Sequence, residues 1–298
     1  MKTKILVVGS SGFLGTNFLN SIKNQKKMEV HALVHKKKHI LSKNKKIKYI
    51  LANICEYNDL KKKINFTYDF IFNFSGNIDH KKNKETFDVH FKGIKNLVRI
   101  IGKKKSTILV QLGSSLEYGK EYSPHSEKIV CKPISYYGNA KFLASNFIKR
   151  NLKNYIILRP YQIYGPHQKV DRLIPITIAS CLKNKSFPCS EGFQLRDFLY
   201  VDDFNSLLIK IIKKKKIKSG IYNVGTGKPI RVKNIINLIH KLTRRGKPLF
   251  GKLKMRKDEV AEYYPKINKV KNYFDWKPKI DIYRGLNKTI KYYKDNLW

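Results

Sequence analysis

A tyrosine and a lysine four positions apart, Tyr137 and Lys141, are the side chains of this sequence best suited to acid–base chemistry. They lie in a stretch whose apolar residues predict a helix, where residues four apart project from the same face. An ammonium beside a phenol favours the phenolate and lowers the pKa of the tyrosine, which can then exchange a proton near neutral pH. A surface tyrosine–lysine pair without any function has the same spacing, so this alternative stays open.

A serine hydroxyl could join this pair. Ser114 follows the predicted strand 106–112, in the segment Gly113-Ser114-Ser115-Leu116-Glu117-Tyr118-Gly119. In open α/β sheets, ligands bind at the carboxyl ends of the strands. We therefore expect Ser114 to lie at the edge of a sheet where a ligand binds.

The beginning of the chain predicts the element that would hold such a ligand. An apolar strand over residues 4–8 runs into glycines spaced three apart and then into a helix. Glycines let the backbone approach a ligand closely, and the free amides at the start of a helix attract a diphosphate. A sharp turn that uses glycine for purely structural reasons is the alternative. The candidate dinucleotide contacts in this turn are Gly9, Ser11, Gly12, Phe13, Leu14 and Gly15.

The residues after the second predicted strand, 29–34, indicate which nicotinamide cofactor would bind. An acidic residue about 20 positions beyond the glycine turn would bind a ribose 2′-hydroxyl, whereas basic groups would bind a 2′-phosphate. No Asp or Glu occurs here, and His35 and Lys36 follow the strand. This favours NADP(H) over NAD(H), although a solvated lysine run has the same sequence. Further candidate cofactor contacts follow other strands: Asn53, Ile54, Phe74, Ser75, Gly76 and Pro160.

Strands and helices alternate without hairpin signals, which predicts an α/β fold with a doubly wound parallel sheet. We expect a dinucleotide-binding domain over residues 1–165, with residues 198–225 returning to it. A smaller C-terminal substrate-binding lobe would comprise residues 166–197 and 226–298. One long helix is predicted near residues 83–101.

The net charge of +42, from 63 Lys and Arg less 21 Asp and Glu, raises nucleic-acid binding as a competing hypothesis. Lysine greatly outnumbers arginine and is spread along the chain, which favours a lysine-biased surface that attracts anionic substrates. No apolar run approaches the roughly 20 residues needed to cross a bilayer. We predict a cytoplasmic protein without a membrane partner. The four scattered cysteines predict free thiols and no metal site.

Three motifs together carry a family resemblance: Gly9-x-x-Gly12-x-x-Gly15, the Ser114 segment and Tyr137-x-x-x-Lys141. In this order and spacing they resemble the extended short-chain dehydrogenases/reductases, the epimerase/dehydratase group acting on nucleotide sugars. The resemblance covers nearly the whole chain. It implies a Rossmann fold, a role in polysaccharide biosynthesis, and a homodimer formed through the helices near 83–101 and 136–150.

The resemblance also implies roles for individual residues. Ser114 would polarise the reacting oxygen, Tyr137 would be the acid or base, and Lys141 would lower the pKa of Tyr137 and bind the nicotinamide ribose. The implied substrate contacts are Ser115, Gln162, Arg172, Arg196 and Arg256. For Arg196, phosphate contact is favoured over a structural ion pair with Asp197.

Two departures from the family pattern bear on the reaction. His90 stands where members commonly carry Asn on the long helix, which leaves the fourth member of the catalytic group open. The 4,6-dehydratases carry Asp-Glu directly after the catalytic hydroxyl residue, where this chain has Ser115 and Leu116, with Glu117 one position late. This difference disfavours dehydration.

We therefore predict an NAD(P)-dependent oxidoreductase that acts on a nucleoside-diphosphate sugar. The favoured reaction is the reduction of a 4-keto sugar. A 4-epimerase with the same site and tightly bound NAD is the first alternative. A nucleic-acid-binding or regulatory protein that keeps the fold without the chemistry is the alternative from another class.

Overall fold

The computed structural model describes residues 2–36, 46–76, 83–102, 106–255 and 259–296. The chain forms two compact units. Unit 1 comprises residues 1–121, 127–160 and 208–223, and unit 2 comprises residues 122–126, 161–207 and 224–298. The sequence prediction had placed the corresponding boundaries at residue 165 and at residues 198–225.

The helices and strands alternate along most of the chain. The strands are β1 (Thr3–Val8), β2 (Met28–Val34), β3 (Ile47–Leu51), β4 (Phe70–Asn73), β5 (Ile108–Leu112), β6 (Tyr155–Pro160), β7 (Gln162–Tyr164), β8 (Ser186–Pro188), β9 (Leu195–Arg196), β10 (Phe198–Tyr200), β11 (Gly220–Val224), β12 (Ile230–Arg231), β13 (Lys247–Leu249) and β14 (Glu262–Tyr263). The α-helices are α1 (Phe13–Ile22), α2 (Tyr57–Lys63), α3 (Asn83–Phe87), α4 (Gly93–Ile101), α5 (Tyr136–Asn151), α6 (Leu173–Leu182), α7 (Val201–Lys213), α8 (Val232–Thr243), α9 (Asn268–Phe274) and α10 (Ile282–Asn296).

Unit 1 is built on a seven-stranded parallel sheet in the order β11-β6-β5-β4-β1-β2-β3, which confirms the predicted fold class. The order reverses between β1 and β4, which are hydrogen-bonded neighbours with Val8 opposite Asn73. Such a reversal opens a crevice at the carboxyl ends of the strands. The residues that follow β1, β4 and β5 are therefore brought to one edge of the sheet.

Both faces of the sheet are covered, because alternate residues of a strand point to opposite sides. Leu6 and Val8 of β1 lie in a buried core with α2, α4 and α5, to which Leu60, Ile94 and Ile148 contribute. On the other face, the ring of Phe18 in α1 lies 4.7 Å from that of Phe72 in β4. Burying each such side chain contributes roughly 1.5–3 kcal/mol.

The long helix predicted near residues 83–101 is divided in the structure. A π-helical turn over Asp88–Lys92 separates α3 from α4. Such turns insert one extra residue and rotate the following side chains, and they are frequent at functional sites. Here the turn carries the buried His90.

Unit 2 contains three small sheets, formed by β7 with β10, by β12, β9 and β14, and by β8 with β13. A buried carboxylate ties its C-terminal part together: Asp203 accepts hydrogen bonds from the amides of Lys279 and Ile280, both at 2.9 Å. Trp276 is buried, and its Nε1 donates to Oγ of Ser206 at 2.8 Å.

Two further properties concern the whole described chain. No helix within the described ranges combines the length and apolar character needed to span a bilayer. All four cysteines are free thiols, and Cys181 and Cys189 are buried.

Candidate active site

The turn between β1 and α1 requires glycine at two positions. Gly9 has a φ of +72°, and a β-carbon there would lie 2.5 Å from the amide nitrogen of Ser75. A β-carbon at Gly15 would overlap with the carbonyl oxygen of Gly9. The first contact brings the turn against the end of β4, and the second brings α1 against the turn.

The start of α1 has the properties of an anion-binding site. Gly12 caps the helix without a side-chain hydrogen bond, and the first turn contains no acidic residue. Ser11 and Gly12 are exposed, and a β-carbon at Gly12 would contact only the carbonyl oxygen of Gly9, at 3.4 Å. Amides at a helix start carry partial positive charge. The turn therefore fits the diphosphate of a dinucleotide.

Side-chain hydrogen bonds hold the backbone where β3 and β4 end. The amide and hydroxyl of Ser75 donate to Oδ1 of Asn73, at 3.1 and 2.6 Å, and the backbone of Phe74 and Ser75 lies against Gly9 of the glycine turn. After β3, Oδ1 of Asn53 accepts a hydrogen bond from the amide of Cys55 at 3.0 Å. The carbonyl of the buried Ile54 accepts one from Asn96 on α4, also at 3.0 Å.

The remaining predicted cofactor contacts of unit 1 also follow strands. His35 and Lys36 come directly after β2 and are exposed. Pro160 is the last residue of β6. Parallel strands bring these positions to the same edge as the glycine turn.

Ser114 caps a single 3₁₀ turn, Ser115–Tyr118, that follows β5. Its Oγ accepts a hydrogen bond from the amide of Leu116 at 3.1 Å, and its own amide donates to Oε1 of Glu117 at 2.9 Å. This reciprocal capping box holds the serine in one orientation. Because the oxygen accepts from Leu116, the hydroxyl hydrogen can be donated to another acceptor.

Glu117 is fully buried and paired with Arg159 of β6. Nε and Nη2 of Arg159 donate to Oε2 of Glu117 at 3.0 and 2.7 Å. With Oε1 bound to Ser114, both carboxylate oxygens are engaged. Glu117 therefore supports the serine turn and is not available as an acid for a substrate.

Tyr137 and Lys141 share the first two turns of α5. Lys141 is buried, its Nζ lies 5.7 Å from the ring centroid of Tyr137, and it donates to the carbonyl of Leu112 at 2.7 Å. Burial lowers the pKa of Lys141 to about 8, and the carboxylate of Glu117 opposes this shift. The predicted pair is therefore a close pair within the protein and not a solvated surface pair.

The helix α5 begins directly beside the serine turn. A β-carbon at Gly138 would lie 2.5 Å from the carbonyl oxygen of Leu116, so only glycine lets the two elements approach this closely. Oγ of Ser135 caps the helix by accepting from the amide of Gly138 at 3.0 Å. This packing brings the turn that carries Ser114 against the first turn of α5, which carries Tyr137.

His90 packs against Tyr137. The two rings are edge to face, with centroids 4.9 Å apart and an interplanar angle of 85°. The sequence singled out His90 as a departure but gave no signal for this contact, nor for the pairing of Glu117 with Arg159. Both depend on residues more than 40 positions apart.

The predicted substrate contacts other than Ser115 belong to unit 2. Gln162 is exposed on β7, and Arg172 caps α6 and lies 3.5 Å from a carboxylate oxygen of Asp171. Arg196 pairs with Glu259 and donates to the carbonyl of Val260 at 2.7 Å. Arg256 lies outside the described residues.

Asp197 does not pair with Arg196, the partner considered from the sequence. Asp197 is buried and accepts hydrogen bonds from the amides of Thr226 and Gly227, at 2.8 and 2.6 Å. Arg196 therefore takes Glu259 as its ion-pair partner. Its predicted role in phosphate binding stays a prediction.

Comparisons with known proteins show the family of this chain. Residues 5–225 match the model of the NAD dependent epimerase/dehydratase family. The chain is 26% identical to human dTDP-D-glucose 4,6-dehydratase, over 98% of this chain and 90% of that protein. Its fold is similar to that of Thermotoga maritima UDP-glucose 4-epimerase with UDP-glucose, with a TM-score of 0.90, 20% identity and coverage of 99% and 100% of the two chains.

A third comparison involves a bound cofactor. The fold is similar to that of Bacillus anthracis dTDP-glucose 4,6-dehydratase in complex with NAD, with a TM-score of 0.85, 22% identity and coverage of 99% and 97% of the two chains. The family match includes the glycine turn, Ser114, Tyr137 and Lys141. The chain belongs to the NAD dependent epimerase/dehydratase family, whose members are enzymes that act on nucleotide sugars.

Proposed function

We propose that this protein reduces the 4-keto group of a nucleoside-diphosphate sugar with NADPH. We favour reduction over the other reactions because basic residues follow the end of β2. His35 and Lys36 are exposed there, and the sequence has no Asp or Glu from residue 35 to residue 46. Basic groups at this position favour a 2′-phosphate, and NADPH is the cofactor that a reductase consumes.

The proposed reaction uses three side chains of unit 1. A bound nicotinamide would supply the hydride to the ketone carbon. Tyr137 would donate its proton to the oxygen as negative charge develops there, and the buried Lys141 ammonium would stabilise the resulting phenolate. Ser114, whose oxygen is already an acceptor, would donate a hydrogen bond to the same substrate oxygen.

Other residues would bind the cofactor and the substrate. The uncapped start of α1 would hold the cofactor diphosphate, and Lys36 would contact its 2′-phosphate. Arg196 would contact the substrate diphosphate, which would have to replace Glu259 as its anionic partner. The remaining proposed substrate contacts are Ser115, Gln162, Arg172 and Arg256.

A 4-epimerase is the second candidate. The fold similarity to the Thermotoga maritima UDP-glucose 4-epimerase favours it. In that reaction Tyr137 would first remove the proton of the 4-hydroxyl and later return it. Dehydration is disfavoured, even though a relative is named a 4,6-dehydratase, because Glu117 is occupied by Arg159 and by the amide of Ser114.

The test incubates the purified protein with a panel of nucleotide 4-keto-6-deoxy sugars and follows the absorbance of NADPH and NADH. Stoichiometric consumption of NADPH is expected. Interconversion of UDP-hexoses without consumption of either cofactor, by a protein that retains NAD through purification, would show an epimerase instead. Salt-sensitive RNA binding without binding of any nucleotide sugar would favour the non-enzymatic alternative.

We further propose a homodimer, which the family resemblance implies. The interface would use α4 and α5, at residues 93–101 and 136–151. Sedimentation equilibrium of the purified protein would test this, with a monomer at micromolar concentration as the contradicting result.

A further inference from the structure

Within the described residues, the two edges of the parallel sheet in unit 1 carry very different charges. Because the strands are parallel, the linkers that enter them lie at one edge and the linkers that leave them lie at the other. The leaving linkers carry the candidate active site. The entering linkers have no part in it.

The linkers that leave β1–β5 are balanced in charge within the described part of unit 1. They contain four lysines and four glutamates: Lys36, Lys120, Lys128 and Lys132 with Glu56, Glu117, Glu121 and Glu127. The linkers that enter the seven strands contain ten lysines and one acid in the described ranges: Lys2, Lys23, Lys26, Lys27, Lys46, Lys153, Lys214, Lys215, Lys216 and Lys218, with Asp69. Oδ2 of Asp69 accepts a hydrogen bond from the amide of Lys4 at 2.8 Å.

The last turns of the helices add further cations at the same edge. They contribute Lys61, Lys62, Arg99, Lys149, Arg150, Lys210 and Lys213. We call the entering linkers and these last turns together the amino-edge surface. All of its lysines except Lys214 are exposed.

Stabilisation of helix ends explains only part of this charge. A cation in the last turn of a helix interacts favourably with the helix dipole, and the effect ends within that turn. Lys215, Lys216 and Lys218 lie beyond the end of α7, and Lys26 and Lys27 lie beyond the end of α1. The balanced leaving linkers also show that the lysine-rich composition alone does not place these charges at one edge.

The charges of the amino-edge surface spread in two directions. Along the sheet, seven strands with neighbours about 4.8 Å apart extend for roughly 29 Å. Across the sheet, the surface includes the end of α1 on one face and the ends of α2 and α5 on the other. The result is a broad positive surface and not a narrow stripe.

We propose that the amino-edge surface binds the face of a lipid bilayer that contains anionic headgroups. Each lysine near such a bilayer strengthens binding roughly fivefold, and mobile headgroups can gather beneath a broad array of flexible ammonium groups. Among the described residues, lysines greatly outnumber the two arginines of the surface, Arg99 and Arg150, whereas nucleic-acid recognition draws on arginine forks and stacking aromatics along a narrower path. A bilayer is therefore favoured over a nucleic acid. Docking in this way would leave the opposite edge of the sheet, with Ser114 and Tyr137, on the side away from the bilayer.

This inference departs from the prediction that the protein has no membrane partner. It concerns attachment to the surface of a bilayer and requires no spanning helix. It is also independent of the reaction proposed above, since none of its residues belongs to the candidate active site.

The test sediments the full-length protein with vesicles of phosphatidylcholine alone or of equal parts phosphatidylcholine and phosphatidylserine. We expect binding to the mixed vesicles only, lost at high salt. A variant with Lys214→Gln, Lys215→Gln, Lys216→Gln and Lys218→Gln should bind at least about tenfold more weakly. A second variant, with Lys26→Gln, Lys27→Gln, Lys46→Gln and Lys153→Gln, should show a similar loss of binding. Agreement between the two variants would exclude misfolding of one variant as the cause of the loss.

The matched control removes the same charge from exposed lysines of unit 2, with Lys266→Gln, Lys271→Gln, Lys277→Gln and Lys279→Gln. It should bind mixed vesicles nearly as well as the natural sequence. Equal losses in all three variants would overturn the proposal, because net charge alone would then explain binding. Equal binding to both kinds of vesicle, or tighter binding to poly(U) RNA than to mixed vesicles, would also overturn it.

Discussion

The ring of His90 fills the space beside Gly76 so closely that a β-carbon on Gly76 would overlap with Cε1 of His90. Gly76 follows β4 at the edge of the candidate active site, and the His90 ring also contacts Tyr137, 4.9 Å away between centroids. His90 thus connects the end of β4 to the proposed acid. We propose that His90 is a positioning residue for Tyr137.

The contact between Gly76 and His90 predicts coupled mutations. Gly76→Ala alone should displace His90 and with it Tyr137, lowering kcat about tenfold or more, because small displacements of a reacting group slow catalysis strongly. Adding His90→Ala should restore part of that loss, since the alanine leaves room for the new methyl group. The measurement is a double-mutant cycle on kcat and KM, with a coupling of about 0.5–3 kcal/mol expected. Strictly additive effects would show that Gly76 acts without His90.

Replacing Tyr137 by Phe should remove the proposed acid with little change in packing. Turnover should fall about 100- to 10,000-fold, the usual contribution of general acid catalysis. Binding of NADPH, followed by fluorescence titration, should be largely retained. The neighbouring Tyr136 is exposed and provides a matched control, because Tyr136→Phe removes the same hydroxyl from the outer side of the helix. Turnover that survives Tyr137→Phe would disprove the acid–base role.

The buried Lys141 predicts the alkaline side of the pH profile. Its pKa is lowered to about 8 by burial, so kcat should fall as the pH rises through about 8 and the ammonium is lost. Lys141→Met should be slower at every pH and should lack this decline.

The free energy of unfolding should change with pH in the opposite direction. Because the folded pKa lies below the ordinary 10.5, the folded protein binds this proton less tightly than the unfolded chain, and the contribution of Lys141 to stability rises between about pH 8 and pH 10.5.

The buried pair of Glu117 and Arg159 predicts a large effect on stability. Arg159→Leu should lower the free energy of unfolding by about 3–5 kcal/mol, because it leaves a carboxylate buried without its partner. Urea denaturation measures this. The ion pair of Glu121 with Lys132, at 3.0 Å, is a matched control with an exposed lysine, and Lys132→Leu should cost less than about 1 kcal/mol. Similar losses in the two variants would contradict a supporting role for Glu117.

The proposed preference for NADPH depends on Lys36. Lys36→Asp should raise the KM for NADPH about tenfold or more and should lower the preference over NADH, because a charged hydrogen bond to the 2′-phosphate is replaced by repulsion. Lys62→Asp makes the same charge change at the opposite edge of the sheet and should leave both KM values nearly unchanged. An unaltered preference in Lys36→Asp would place the specificity elsewhere.

Features that depend on local spacing could be predicted from the amino-acid sequence. The apolar periods predicted the strands and helices around the glycine turn, and the spacing of Tyr137 and Lys141 placed both on one face of a helix. The glycines at positions 9 and 15 were recognisable because a turn that packs backbone against backbone tolerates no β-carbon. These features need only neighbours along the chain.

The tertiary structure decided which distant groups meet. It paired Glu117 with Arg159, Arg196 with Glu259, and His90 with Tyr137, and it brought the described lysines of five separate linkers to one edge of the sheet. A buried charge needs a partner of opposite charge, but the amino-acid sequence does not show which of several such residues will lie beside it in the folded protein. That choice follows from the order of strands in the sheet and from the packing of helices on it, and these arise only when the whole chain is folded.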